Sequence, residues 1–85
     1  MTSLEIKSFR KKYLLTQSNF ADLFGMSFRS IQRYEKGESK QPKIISVMLN
    51  CFETSKDFRS EIINLNKDKP FVKKLFKQSK LININ

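Results

Sequence analysis

The sequence predicts an all-helical single domain, and three observations carry that prediction. Two Gly and two Pro in 85 residues are too few chain breaks for a many-turned β architecture. Apolar residues recur at the three- and four-residue spacing of helices with one buried face. Ser or Thr precedes several of these runs and Gly follows two of them, the start and stop chemistry of short helices. A chain this short cannot be split into parts that each bury a core. With 39% apolar residues and eight Phe it can fill one.

Each element follows from its own residues. Thr2 and Glu5 have capping-box spacing, so a first helix starts near Ser3 and ends near Tyr13. Ile6, Phe9 and Tyr13 form its apolar stripe, and Lys7, Lys11 and Lys12 its wet side. Thr16 is the next N-cap, opening a short helix whose buried face is Phe20, Leu23 and Phe24. Gly25 stops it in the left-handed conformation. Ser27 caps a third helix from Phe28 to about Lys36, with Ile31 inside, and Gly37 closes it. After the polar loop Glu38-Ser39-Lys40-Gln41, Pro42 suits the first turn of helix 4. Ile44, Ile45, Val47, Met48, Leu49 and Phe52 make helix 4 apolar on more than one side, which predicts a central core helix with Cys51 buried in it. Helix 5 runs from near Lys56 to Asn66 with Phe58, Ile62, Ile63 and Leu65. Asp68-Lys69-Pro70 breaks it and launches a sixth stretch carrying Phe71, Val72, Leu75 and Phe76. The expected organisation is a 1–66 core domain with a basic amphipathic extension over 67–85, joined to that domain or to a dimer interface. The alternating tail Leu81-Ile82-Asn83-Ile84-Asn85 is compatible with a strand or with fraying.

Composition narrows the function classes. Seventeen basic against eight acidic residues give +9, a field that attracts polyanions, nucleic acid first among them. No apolar run is long enough for a membrane span and no secretory leader is legible, so a cytoplasmic location and no membrane partner are expected. A lone Cys51 and the absence of His leave no zinc cluster, no internal disulfide and no expected cofactor. Without paired carboxylates or a phosphate-binding loop, nothing in the sequence equips an enzyme.

Two short helices joined by a tight Gly-containing turn, the second capped by Ser, have helix-turn-helix geometry. In such a unit the first turns of the second helix are free to enter the major groove. The residues sharpen this. Leu15-Thr16-Gln17, Phe20-Ala21, Gly25, Ile31 and Arg33-Tyr34-Glu35-Lys36-Gly37 resemble the xenobiotic-response-element or Cro/repressor helix-turn-helix family, from about Ile6 to Phe52. The run from Arg33 to Gly37 is similar to the one that ends this helix in HigA-like and MqsA-like antitoxins and anti-CRISPR-associated regulators. The resemblance implies a lambda-repressor-like five-helix bundle, here with a C-terminal helical extension. It also implies a homodimer on a palindromic double-stranded DNA operator, repressing its own phage or mobile-element operon.

Carried over position by position, the resemblance puts Gln17 over a phosphate at the start of helix 2. It turns Ser27, Phe28, Arg29, Gln32 and Arg33 toward the groove and sets Lys36, Lys40 and Lys43 on the backbone. It pairs Arg10 with Glu35. The chemistry agrees for Arg29 and Arg33, one turn apart and each able to give two hydrogen bonds to guanine O6 and N7. Two readings stay open for Gln32, adenine or water, and two for Phe28, a thymine methyl or burial on helix 2 or a second subunit. Ser27 is an N-cap first and a phosphate contact second. Two residues depart from the family: Leu14 stands where it usually has Gly, so a differently shaped turn is expected, and Phe28 stands where a small or polar residue is commoner.

Beyond Phe52 the likeness thins. Residues 67–80 hold six Lys against Asp68 alone. The apolar stripe among them either closes the core of its own chain or, together with helix 5, meets a second subunit, with Phe58, Ile62, Phe71 and Leu75 as the expected dimer contacts. Two alternatives accompany the repressor reading. An antitoxin would also hold a toxin partner, and a basic protein–protein interaction module would need no DNA.

Overall fold

The computed structural model describes residues 4–73, and over them every regular element is a helix, without a strand. Five helices follow in order: α1 Leu4–Tyr13, α2 Gln17–Phe24, α3 Phe28–Lys36, α4 Lys43–Thr54 and α5 Lys56–Leu65. Residues 70–73 are helical again. The cap expected at Thr2, Leu75 with the extension from residue 74 on, and the 81–85 tail lie outside the described residues.

The caps are those the sequence advertises. Thr16 Oγ1 accepts from the Asn19 N–H at 3.0 Å, and Ser27 Oγ from the Ser30 N–H at a longer 3.4 Å. The first three helices end alike, with a left-handed residue followed by a backbone bond reaching back five positions. Met26 donates to the Ala21 carbonyl, Glu38 to Arg33 and Leu15 to Arg10. The left-handed residue is Gly25 in α2's ending and Gly37 in α3's. In α1's it is Leu14, at φ 57. The expectation of a differently shaped turn is therefore corrected: the backbone keeps the glycine geometry, and Leu14 adopts it at a cost of about 1 kcal/mol. Its side chain, 67% exposed, clashes with nothing that would forbid this.

The core gathers Ile6, Phe9, Tyr13, Leu15, Phe20, Leu23, Ile31, Ile45, Leu49, Phe52 and Ile63. Its centre is aromatic. Phe9 meets Phe20 edge-on at 5.7 Å and Phe52 at 5.4 Å, and Phe24 closes the group against Phe52 at 5.8 Å. Edge-to-face packing at such separations adds to what area burial alone supplies. Val72, beyond the fifth helix, is fully buried in the same core.

Helix α4 departs from expectation in three ways. Pro42 is its N-cap residue, at φ −61 and ψ 143, so it precedes the helix instead of occupying the first turn. Only one apolar arc is buried, that of Ile45, Leu49 and Phe52; Ile44 and Val47 stand exposed. Cys51, on the same side of the helix as Ile44 and Val47, is half-buried and free. The reason is supply, since α1 and α5 cover one side of α4 and no described element covers the other. Two polar side chains then fasten α5. Asn66, buried, donates from Nδ2 to the Leu23 carbonyl at 3.1 Å and the Ile62 carbonyl at 2.8 Å. Arg59, also buried, donates from Nη1 to the Phe52 carbonyl at 2.9 Å, in the last turn of α4.

Candidate nucleic-acid interface

Helix α3 has one buried residue, Ile31, and a broad wet face. Arg29, Arg33 and Lys36 are exposed and Gln32 is half-exposed. At about 3.6 residues per turn, Arg29 and Arg33 project within roughly 40° of each other. Neither has an acidic partner among the described ion pairs, which are Arg10–Glu35 and Lys12–Glu53. Both guanidinium forks are therefore available to an outside acceptor. Phe28, at the head of the helix, is 47% exposed and is not among the side chains packed against the core. Full burial on helix 2 of its own chain therefore does not occur.

A latch behind the helix sets its orientation. Arg10 of α1 grips Glu35 of α3 with two parallel bonds, Nε to Oε2 at 2.7 Å and Nη2 to Oε1 at 2.8 Å. Its remaining nitrogen, Nη1, donates to the Leu15 carbonyl at 3.0 Å, just past the left-handed Leu14. Gln17 completes the arrangement from α2, its amide donating to Glu35 Oε1 at 3.1 Å. One carboxylate thus joins three helices. The Glu35 side chain is 6% exposed. Burial by itself would raise its pKa, but hydrogen bonds from Arg10 and Gln17, with the charges of Arg10 and Lys7, hold it below the ordinary carboxylate value. The Arg10 guanidinium moves the opposite way, raised by its bonds to Glu35 against the effect of burial.

The residues assigned to phosphates divide into two groups. Ser27, Lys36, Lys40 and Lys43 are exposed and flank the wet side of α3 and the loop after it. Ser27 uses its oxygen as an acceptor for the cap, which leaves its O–H to donate. Gln17 is half-buried and gives one amide hydrogen to Glu35, so only its second N–H remains for an outside oxygen. Its latch role was not anticipated. Nor was the anchoring of the loop that carries Lys40. Gln41 Nε2 donates to Glu5 Oε1 at 2.8 Å, and Ser46 Oγ donates to the same oxygen at 2.7 Å. These two bonds, the Ser46 bond foremost, depress the Glu5 pKa. Gln41 looked like one more polar loop residue, and no spacing rule links it to position 5.

The apolar residues proposed for dimer contacts are only partly available. Phe58, Ile62 and Phe71 pack against the core of their own chain and remain half-exposed. Among the described residues no group of three or more acidic or Cys side chains could hold a metal ion, and no helix is long and apolar enough to cross a membrane.

A family model described as helix-turn-helix matches residues 6–58, well over half of the chain. No curated protein and no solved structure matches it.

Proposed function

The chain belongs to the helix-turn-helix family of DNA-binding transcription regulators, and from that premise we propose that it represses a promoter by occupying a palindromic operator as a homodimer. One observation supports this above the others. Helix α3 presents Arg29, Gln32, Arg33 and Lys36 to solvent while Arg10, Gln17 and Glu35 hold its inner side in one orientation. A helix so held meets the major groove already oriented, so that binding orders its side chains and not the helix itself, and Arg29 and Arg33 are shaped for guanine. Ser27, Lys36, Lys40 and Lys43 set the register on phosphates, the second N–H of Gln17 adding to them. The +9 charge supplies salt-dependent attraction for any duplex.

The two-fold contact is proposed on α5 and the segment after it, through the free edges of Phe58, Ile62 and Phe71 and through Leu75. Two copies would then place their α3 helices in successive major grooves, about 34 Å apart. Repression by occupancy calls for no catalytic step and no cofactor.

The test is selection of duplexes from a random pool by the purified chain, followed by titration in rising salt. An inverted repeat with half-sites one helical turn apart is the expected product. Arg33→Ala should lose about 1–3 kcal/mol on the selected duplex and far less on random DNA. Equal loss on both would remove Arg33 from base reading, and recovery of no common sequence would refute the operator itself.

A further inference from the structure

We infer that Phe28 reads the C5-methyl group of a thymine, so that each half-site holds a T·A pair at one margin of α3 and G·C at the other. This inference rests on the DNA-binding reading above and specifies what that site accepts. Phe28 is the first residue of α3, and its ring, 47% exposed, lies outside the buried core. Most of the other residues that α3 turns to solvent are cationic. A lone phenyl in that company is out of place on a surface meant only for water, and it is well placed on one that meets an apolar group.

Angular order around the helix identifies that group. At about 100° per residue the solvent-facing side chains follow one another as Phe28, Gln32, Lys36, Arg29 and Arg33, across an arc of roughly 140°. The two margins therefore differ in chemistry. Arg29 and Arg33 offer donor forks that match guanine O6 and N7. Phe28 and Gln32, one turn apart, offer an apolar face beside a carboxamide. A carboxamide pairs with the N7 and N6 edge of adenine, and adenine's partner carries the one methyl group in the major groove. Cytosine at the same place has only hydrogen at C5, and its N4 donor stands where thymine has the O4 acceptor, so the ring loses its apolar contact. Uracil differs from thymine by the methyl group alone, which makes it the discriminating probe.

The experiment uses the full chain and the duplex it selects from a random pool. Each thymine in a half-site is replaced singly by deoxyuridine, and dissociation constants are compared. One position should weaken binding about fourfold, the equivalent of ~0.8 kcal/mol for one buried methyl group. Phe28→Ala should bind the thymine and deoxyuridine duplexes equally, with unchanged helicity and melting temperature because the ring is not part of the core. Identical affinity of the unmodified chain for every deoxyuridine duplex would overturn the inference and leave sequence-specific binding by α3 standing. Conversion of a dimer to a monomer by Phe28→Ala, with thymine discrimination intact, would also overturn it and assign the ring to subunit contact. Selection of no consensus would overturn the inference together with the reading beneath it.

Discussion

The joint between α1 and α3 and the joint between α4 and α5 each hold a largely buried arginine, and they use it differently. Arg10 has a carboxylate partner in an ideal two-bond geometry, and that partner also ties in Gln17. Among the described residues Arg59 has no acidic partner; Nη1 donates to the Phe52 carbonyl, and Nε finds no partner there. The first arginine fixes where one helix sits relative to two others. The second neutralises the negative end of α4, whose last carbonyls face it. The connections differ in the same sense. α1 passes to α2 through a left-handed Leu14, whereas α4 passes to α5 through Ser55 alone, in extended conformation, capping the Phe58 N–H at 3.2 Å. Orientation is enforced most heavily where the proposed DNA-reading helix is supported.

Glu35→Ala is the harshest test of that contrast. It leaves Arg10 charged and unpaired behind α3, and it should lower stability by about 3 kcal/mol in urea unfolding. A loss below about 1 kcal/mol would place the latch with ordinary surface ion pairs. Arg59→Met should cost less, about 1–2 kcal/mol, because it removes hydrogen bonds to carbonyls and strands no opposite charge. If it proved the more damaging of the two, the contrast would be reversed. Leu14→Gly probes the strained turn that the Arg10 guanidinium braces. Relief of the left-handed strain slightly exceeds the added freedom of the unfolded chain, so a gain of up to about 0.5 kcal/mol is expected by thermal melting.

Acid supplies the gentlest perturbation. The folded pKa of Glu35 lies below its ordinary value of 4.5. Its contribution to stability is therefore complete above that value and is lost as pH falls through the folded one. Glu5 acts in the same direction. The melting temperature should drop on acidification below about pH 4.5, and Glu35→Gln should flatten that drop. An equal pH dependence in the variant would mean that the latch carboxylate does not titrate differently on folding.

Much of the fold was legible because short-range rules govern it. Thr16, Ser27, Gly25 and Gly37 act through neighbours two to five residues away, and their roles were correctly placed. The spacing of Phe20, Leu23 and Ile31 likewise marked which sides of α2 and α3 turn inward. The pairing of Arg10 with Glu35 was anticipated from family resemblance alone, since nothing local connects residues 25 positions apart. Helix α4 misled for a related reason. Two apolar arcs predict two buried sides, yet exposure depends on which neighbours exist to cover them.

Taken alone, the sequence determined the helices, their ends and the cationic character of the third, because capping, φ preference and hydrophobic spacing act within a turn or two. Tertiary structure alone decided that Gln17 completes the latch, that Gln41 moors the loop to Glu5, that Arg59 and Asn66 are buried, and that Phe28 and the outer arc of α4 are not. Those outcomes depend on groups distant in the chain meeting in a shared core, and hydrogen-bond partners over such separations are selected by the packing of whole helices.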